Sequence, residues 1–278
     1  MTSLLKNSLM SACVAYVVSS CTKIEHLDPR ESSLGEQVTK VLAHRGAGLN
    51  SPVFRENTLE GIKYGLQKLE GVEVDIAISE DGGLWLSHDS EILTLNKAFI
   101  KARSHEIEEI KDEDGLPYYD SLEDVLAYMA KNEPTKYISL DVKYPSKILS
   151  FDTYKSVAKT LAELTEIYNF ENRISVQSGF LYFLNKVGEE SSEIETYYMS
   201  YGNFDKGVIK AYDNHLTGLS FDHKRVDELT EEGVDHAHSL GIKVLVYSVD
   251  DVYINEVYGF QVDFMETDNM DFYELLNI

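Results

Sequence analysis

The sequence is poor in cysteine and in basic residues. Its two cysteines, Cys13 and Cys21, lie within the first 21 of 278 positions, so a chain cleaved at Cys21 has no disulfide available and must depend on its hydrophobic core. Lysine and arginine number 25 against 48 acidic residues, which gives a net charge of −23. That balance argues against a nucleic-acid-binding surface, because clustered cations bind phosphate backbones. It leaves an anionic small molecule open, since local cations or a metal can reverse the field inside a site.

The first 40 residues have the pattern of an export segment followed by a tether. Met1–Lys6 carries one positive charge and precedes a charge-free stretch, Asn7–Ser20, that is too short to span a bilayer. Val18–Cys21 resembles a bacterial lipobox, in which small residues precede a cysteine that is cleaved and acylated. We therefore expect a lipoprotein-type signal peptide over residues 1–20, lipidation at Cys21, a polar tether over 21–40, and a lipid-anchored location on the periplasmic or extracellular face of a bacterial cell envelope. An ordinary signal peptide with an unmodified cysteine is the alternative.

From Val41 onward, short apolar runs alternate with segments of helical periodicity, which predicts a parallel sheet wrapped by helices. The predicted strands are Val41–Ala43, Val72–Ile78, Tyr137–Val142, Ile174–Val176, Thr196–Ser200, Gly218–Phe221, Lys243–Val249 and Val262–Glu266. The predicted helices include Thr58–Leu69, Ser121–Lys131, Phe151–Tyr168, Val226–Leu240 and Asp250–Tyr258. Eight strands in one domain over residues 41–278 favour an α/β fold of the TIM-type (β/α)8 barrel class. Ala98–Pro117 is predicted to be a small irregular insertion, after the second-strand hairpin, that covers the barrel mouth.

The strand that contains Asp75 is followed at once by a second extended segment. Asp81 and Gly82 lie between the two and form a pair typical of a two-residue hairpin turn. Such a turn places Asp75 opposite His88, and the alternation of strand side chains puts Glu73 on the same face as Asp75. We therefore expect a histidine and two acids to converge. The prediction depends on register, because a slip of one residue would turn His88 to the opposite face.

Two pairs of polar residues with i, i+2 spacing indicate a cation site inside the predicted barrel. Glu73 and Asp75 project from one strand face, and their carboxylate oxygens suit Ca²⁺ or Mg²⁺. Asp141 and Lys143 repeat the spacing on a later strand and add a third carboxylate and a cation. A solvated strand face or a surface ion pair is the structural alternative for each pair. The carboxyl ends of barrel strands, however, are where such folds build active sites.

A second candidate segment, His44-Arg45-Gly46, follows directly after the first predicted strand. The guanidinium fork of Arg45 suits phosphate oxygens, and Gly46 allows a sharp backbone turn near a ligand. Glu56-Asn57-Thr58 opens the next helix, where Asn57 or Thr58 can act as the N-cap and Glu56 as a support residue. Gln177 and Tyr247 lie at or near strand ends and are candidates for lining the substrate site.

These motifs together resemble the glycerophosphodiester phosphodiesterase family from about Val41 to the end of the chain. The matching segments are Ala43–Gly46, Glu56–Thr58, the Glu73-x-Asp75 strand, the Asp81-Gly82 turn, His88-Asp89, Ser139–Lys143, Val176–Ser178 and Thr267-Asp268. The chain departs from the family pattern at Asp141, where the family prefers Glu, at Arg55, where it prefers Pro, and at Tyr247, where it prefers Trp.

The resemblance implies a TIM barrel in which one divalent cation, Ca²⁺ or Mg²⁺, is bound by Glu73, Asp75 and Asp141. It implies His44 and His88 as general acid and base, and Arg45 and Lys143 as ligands of the substrate phosphate. The implied reaction is hydrolysis of a small-molecule glycerophosphodiester to glycerol 3-phosphate and an alcohol. Two alternatives stay open: a phospholipase D-like diesterase that acts on lysophospholipids, and a non-catalytic envelope lipoprotein that binds a ligand.

Overall fold

The computed structural model describes residues 39–143 and 150–276, and they form a closed barrel of eight parallel strands. The barrel strands are β1 (Lys40–Ala43), β2 (Gly71–Ile78), β6 (Tyr137–Val142), β7 (Ile174–Ser178), β8 (Glu195–Ser200), β9 (Gly218–Asp222), β10 (Lys243–Val249) and β11 (Phe264–Thr267). Around the barrel, neighbouring strands follow the order β1-β11-β10-β9-β8-β7-β6-β2, and the pairing of β1 with β2 closes the barrel. Three further strands lie outside it: β3 (Leu84–Leu86), β4 (Glu91–Ile92) and β5 (Lys97–Ala98).

Helices follow the strands in alternation and cover the barrel. They are α1 (Leu59–Lys68), α2 (Ser104–Glu108), α3 (Leu122–Asn132), α4 (Phe151–Ile167), α5 (Leu181–Glu190), α6 (Phe204–Asp213), α7 (Glu231–Ser239), α8 (Ile254–Gly259) and α9 (Phe272–Leu275). Several begin where a polar side chain accepts a hydrogen bond from a free amide of the first turn, which stabilises the helix start. These N-caps are Thr58, Ser121, Ser150, Asn203 and Thr230.

The period-two pattern of the strands separates an apolar outer layer from a mixed interior. In β2, Val72, Val74 and Ile76 belong to the main core, whereas Glu73 and Asp75 between them face the opposite side and are also buried. Near the amino ends of the strands, the interior is filled by an apolar and aromatic cluster: Leu42, Tyr137, Tyr197, Leu245 and Phe264. The polar interior positions therefore lie toward the carboxyl ends, where barrel enzymes place their sites.

The β2–β3 hairpin differs from its predicted register by one residue. Ile76 pairs with Leu86 and Ile78 with Leu84, so the level of Asp75 corresponds to Ser87 rather than to His88. The turn has three residues instead of two: the Ser79 amide donates to the Gly83 carbonyl, and Gly82 adopts a φ of +87°. A left-handed glycine at this position is typical of three-residue hairpin loops, which is why the two-residue count was wrong.

The segment after β3 is better ordered than the prediction of an irregular insertion. It contains the β4–β5 hairpin, a 3-10 turn over Phe99–Lys101 and the short helix α2. Its apolar side chains form a small core of their own: Trp85, Ile92, Phe99, Ala102, Ile107 and Ile110. Since it connects β3 to the start of α3, the segment lies on the carboxyl side of the barrel.

The other predicted elements agree with the structure to different degrees. All eight predicted barrel strands are confirmed. Helices α5 and α6 were not predicted, and a 3-10 segment, His223–Glu228, precedes α7 where one longer helix was expected. The predicted signal peptide, lipidation site and tether over residues 1–40 fall outside the described residues, apart from the last two positions. None of the helices within residues 39–143 and 150–276 is long and apolar enough to cross a bilayer.

The contact between α1 and the loop after β1 gives a test of the packing that positions this loop. A Cβ added at Gly65 would lie 1.9 Å from the carbonyl oxygen of Gly46. We expect Gly65→Ala to lower the free energy of unfolding by about 1–3 kcal/mol, because the helix must move away from the loop. Gly188→Ala on α5 is the matched control, since its Cβ meets no atom within 4 Å, and it should stabilise by about 0.5–1 kcal/mol. Urea denaturation measures both, and equal midpoints for the two variants would contradict the packing argument.

Candidate active site

Three buried carboxylates converge at the carboxyl ends of β2 and β6. The strand register pairs Asp75 with Asp141, and Glu73 lies two residues earlier on the same face as Asp75. One ligand oxygen from each of the three residues lies within 4.8 Å of the others. The structure thus brings together the three residues that the sequence proposed as metal ligands. Their spacing suits a single cation with oxygen ligands.

Two cationic side chains lie against this triad. The Lys143 ammonium is 2.9 Å from a carboxylate oxygen of Asp75 and 2.5 Å from one of Asp141. Burial of the ammonium lowers its pKa, but the charges of Asp141 and Asp75 outweigh this and raise the pKa of Lys143 overall. Arg45 approaches the other oxygen of Asp75, with its Nε at 3.2 Å. Both predicted phosphate ligands are therefore at the site and remain fully charged.

The loop after β1 is shaped so that Arg45 contacts the acids through both its backbone and its side chain. Its amide donates to Glu73 at 2.8 Å, its guanidinium bonds Glu56 at 2.8 Å, and its φ is +51°. A left-handed conformation is unfavourable for arginine and is maintained here by these bonds. Glu56 is thus a support for Arg45, as predicted.

Asn57 has a role that the sequence pattern left open. Its side-chain amide donates to Asp75 at 2.8 Å, and its side-chain oxygen accepts from the Asp75 backbone amide at 2.9 Å. Thr58, not Asn57, caps α1. The two bonds fix Asp75 through its carboxylate and its backbone. Burial raises the pKa of Asp75, but Lys143, Arg45 and the bond that Asn57 donates to the carboxylate outweigh it and lower the pKa overall.

His44 forms a pair with an acid that the sequence reasoning did not assign to the site. Its Nδ1 lies 2.8 Å from Asp268, and its Nε2 is 3.9 Å from Glu73. With Nδ1 engaged by Asp268, Nε2 is the ring nitrogen on the side of the triad. Burial raises the pKa of Asp268, but the bond to His44 outweighs it and lowers the pKa overall. The Thr267-Asp268 pair was the signal in the sequence that indicated this residue.

His88 lies at the edge of the site despite the corrected register. Strand β3 ends at Leu86, and the chain turns where the Ser87 amide donates to the Asp75 carbonyl. The His88 ring is then half-exposed, with its Nδ1 3.4 Å from Asp89. Burial keeps the pKa of Asp141 above its ordinary value and Asp75 adds to the effect, whereas Lys143 and, more weakly, His88 oppose it. The turn after β3, rather than cross-strand pairing, brings His88 to the acids.

Glu266 is a fourth buried acid, which the sequence reasoning missed. It accepts a hydrogen bond of 2.7 Å from Gln177, whose own side-chain oxygen accepts from Ser220 at 2.6 Å. Burial raises the pKa of Glu266 to about 8 despite this bond, with Asp141 and Asp75 adding to the effect. Gln177, predicted as a lining residue, is fully buried and orients Glu266. A single glutamate in a short apolar strand carries no local signal of such a role.

The balance between carboxylates and cations in the centre shows whether a divalent cation fits it. Burial raises the pKa of Glu73 well above its ordinary value, and the neighbouring acids raise it further. Within the part of the chain that the structure describes, two lysine or arginine side chains, Arg45 and Lys143, form ion pairs with members of the group Glu73, Asp75, Asp141 and Glu266. Full ionisation leaves two negative charges, which one divalent cation balances. The residues therefore fit the metal that the sequence predicted, although they do not distinguish Ca²⁺ from Mg²⁺.

The fold and this site define a class: a TIM-barrel enzyme whose carboxyl face combines an acidic metal-type centre with phosphate-directed cations. Residues 44–272 match the model of the glycerophosphoryl diester phosphodiesterase family. That match covers most of the chain, and the chain belongs to this family, whose reaction is the hydrolysis of glycerophosphodiesters.

The chain is also similar to individual proteins and solved structures. A glycerophosphodiester phosphodiesterase of Caldanaerobacter subterraneus subsp. tengcongensis is 24% identical over 227 residues, 76% of this chain and 86% of that one. The uncharacterised protein YqiK of Bacillus subtilis is 26% identical over 149 residues, which is 49% of this chain and 56% of that protein. A phosphodiesterase of Oleispira antarctica, solved with the product sn-glycerol-3-phosphate, superposes with a TM-score of 0.69 at 17% identity over 86% of this chain and 96% of that one.

Glu266 gives a pH-dependent test of the buried charge cluster. Its pKa is about 8 in the folded state against 4.5 ordinarily. At pH values between these two, Glu266 carries a proton in the folded state that it lacks in the unfolded state. The contribution of this proton to stability is therefore complete below pH 4.5 and is lost as the pH rises through about 8. We expect Glu266→Gln to become more stable relative to the wild type as the pH rises from 5 to 9 in chelator. Thermal unfolding at each pH measures this, with exposed Glu232→Gln as the control. A constant difference between Glu266→Gln and the wild type would contradict it.

Proposed function

We propose that the protein hydrolyses glycerophosphodiesters to glycerol 3-phosphate and a free alcohol by metal-assisted acid/base catalysis. The observation that carries the proposal is the buried triad of Glu73, Asp75 and Asp141 in direct contact with Lys143 and Arg45. The product bound to the Oleispira antarctica neighbour supports glycerol 3-phosphate as the phosphorylated product here.

The cations provide the electrostatic part of the reaction. A phosphodiester gains negative charge on its equatorial and leaving oxygens as the ester bond breaks. Lys143 and the Arg45 fork bind those oxygens and stabilise the charge where it develops. Glu73, Asp75 and Asp141 would hold one Ca²⁺ or Mg²⁺, which supplies Lewis-acid stabilisation of the same oxygens when bound. Asn57 keeps the Asp75 carboxylate in the orientation that this requires.

His44 and His88 carry the protons. The nucleophile is water or the neighbouring glycerol hydroxyl, and one histidine takes its proton as the new P–O bond forms. Attack by the hydroxyl gives a cyclic glycerol phosphate, which water then opens to glycerol 3-phosphate. The bond between phosphorus and the alcohol oxygen breaks with its electron pair on oxygen, and the other histidine donates a proton to that oxygen. Asp268 fixes the His44 ring through Nδ1 and leaves Nε2 for the transfer. His88 is more exposed, so it has fewer restraints on its position.

The structure places two of the residues that depart from the family pattern. Asp141 is shorter than the glutamate usual at this position, yet its carboxylate is drawn into the triad beside Lys143. Arg55, where proline is usual, lies with its guanidinium over the Tyr118 ring at 3.8 Å, outside the acidic centre. Neither change removes a group that the reaction needs.

The location of the enzyme is a separate proposal that rests on the sequence pattern at Cys21 alone. Export with acylation of this cysteine would place the barrel at a membrane surface of a bacterial envelope, where deacylated and lysophospholipid esters arise. A lysophospholipid substrate, cleaved in the manner of a phospholipase D, is the second candidate activity, and a substrate panel separates it from the first.

Metal and proton roles should be separable by mutation. We expect Asp75→Ala to lose metal binding and turnover together, because it removes a ligand and the partner of Lys143. His44→Ala and His88→Ala should each lower turnover by about 10²–10⁴-fold while metal affinity stays near that of the wild type, since neither ring is assigned as a ligand. Chelation should abolish activity, and Ca²⁺ or Mg²⁺ should restore it.

Calorimetric metal titration and hydrolysis of a panel of glycerophosphodiesters measure these effects. Full activity in excess chelator after dialysis would refute the metal assignment. Near-normal turnover of His88→Ala would remove His88 from the mechanism, and metal loss in either histidine variant would make that histidine a ligand.

The anchor proposal is tested in cells. We expect the full-length protein, expressed in bacteria, to fractionate with membranes and Cys21→Ala to be released or mislocalised. Mass spectrometry of the mature N-terminus reports acylation directly. A wild-type protein that is wholly soluble with an unmodified Cys21 would contradict the proposal.

A further inference from the structure

The side of the barrel mouth formed by β9 and β10 carries an acid that the mechanism does not use. Asp222 is the last residue of β9 and pairs in register with Tyr247 on β10. Tyr247 packs against the interior cluster of Leu42, Leu245 and Phe264, so its side chain points into the barrel. Paired residues on neighbouring parallel strands point to the same face, and Asp222 therefore also faces the interior at the carboxyl end.

The Asp222 carboxylate has little to balance its charge. It accepts one bond of 3.0 Å from the Lys224 backbone amide, and the nearest basic ring atom, His223 Nδ1, is 3.9 Å away. The His223 ring is already paired with Asp250 through Nε2 at 3.0 Å. Among the side chains that the structure describes, no lysine or arginine forms an ion pair with Asp222. Its side chain is about one-third exposed, so a ligand can reach it.

Tyr201 extends the same wall toward the catalytic centre. It follows β8 directly, is largely exposed, and its ring edge would lie 3.2 Å from a Cβ added at Gly179. Ser200 on β8 pairs with Phe221 on β9, so Tyr201, the next residue, lies level with Asp222. Burial raises the pKa of Tyr247, and the neighbouring Asp222 and Tyr201 add to that shift. Tyr201, Asp222 and Tyr247 therefore lie at one level of three neighbouring strands, at the carboxyl end of the barrel that also carries the acidic triad.

We propose that Asp222, Tyr201 and Tyr247 form the subsite for the alcohol head group and select an alkylammonium alcohol of the choline or ethanolamine type. This inference rests on the proposed diesterase function. Aromatic faces attract ammonium groups, and an uncompensated carboxylate beside them adds a charge of the opposite sign. An uncharged polyol can donate hydrogen bonds to the carboxylate but lacks both the charge attraction and the cation–π contact, so the subsite favours the ammonium alcohol.

The test compares two esters that differ only in the head group. The ratio of kcat/KM for glycerophosphocholine to that for glycerophosphoglycerol is measured for the wild type, Asp222→Asn and Asp213→Asn. Asp213 is an exposed acid at the end of α6 and controls for the loss of one negative charge. We expect Asp222→Asn to lower the ratio roughly 5- to 30-fold, as for loss of a partly desolvated cation contact, and Asp213→Asn to keep the wild-type ratio.

Two further measurements test the subsite independently of the Asp222→Asn ratio. Choline chloride should inhibit the wild type competitively and Asp222→Asn several-fold more weakly. Tyr201→Leu changes an exposed residue and should lower the same ratio even if Asp222→Asn fails to fold. An active wild type with an unchanged ratio in the folded variants would overturn the subsite alone. A wild type that hydrolyses neither ester would refute the proposed function, and the subsite with it.

Discussion

The constraint on which the site depends is the balance of charge inside a closed barrel. Four carboxyl groups lie at or near the carboxyl ends of β2, β6 and β11, where water is largely excluded. Carboxylates so placed are costly unless cations or protons compensate them. Lys143 and Arg45 compensate Asp75 and lower its pKa against the effect of burial, whereas burial raises the pKa values of Glu73, Asp141 and Glu266. This deficit of positive charge fits the cluster to a divalent cation, whereas an anionic ester beside it depends on the cations Lys143 and Arg45.

The conformation of the loop after β1 is set by its contacts with the buried acids rather than by the backbone preferences of its residues. Arg45 and Asn57 both adopt left-handed conformations, with φ of +51° and +53°, a region that is unfavourable for arginine and better tolerated by asparagine. Each is held by bonds to a buried acid, the Arg45 amide to Glu73 and the Asn57 side chain to Asp75. The absence of a side chain at Gly65 lets α1 press against the loop from outside. Backbone strain, helix packing and acid orientation are therefore coupled, and a change at one is expected to disturb the others.

Most of this site could be predicted from the sequence because the patterns that indicate it are local. Apolar runs of strand length predicted all eight barrel strands, and i, i+2 spacing placed Glu73 with Asp75. Prediction from the sequence failed where the deciding contact was distant or depended on one dihedral angle. The hairpin register changed because Gly82 closes a three-residue loop, and Glu266 was missed because its partners, Gln177 and Ser139, lie on other strands. Asp268 was visible only as part of a family motif, since its bond to His44 spans 224 positions.

The two sides of the barrel mouth divide the recognition of a phosphodiester between them. The β1–β2 side carries His44 and Arg45, the residues proposed to act on the phosphate and its protons, whereas the β8–β10 side presents Asp222 with two tyrosine rings. A chain with a net charge of −23 repels an anionic ester over long distances. A zwitterionic ester has no net charge and escapes that repulsion, and its two ends match the two walls in sign. If the proposed subsite is correct, the acidity of the protein as a whole, which opposes an anionic substrate, is a further reason for it to prefer esters that carry an ammonium group.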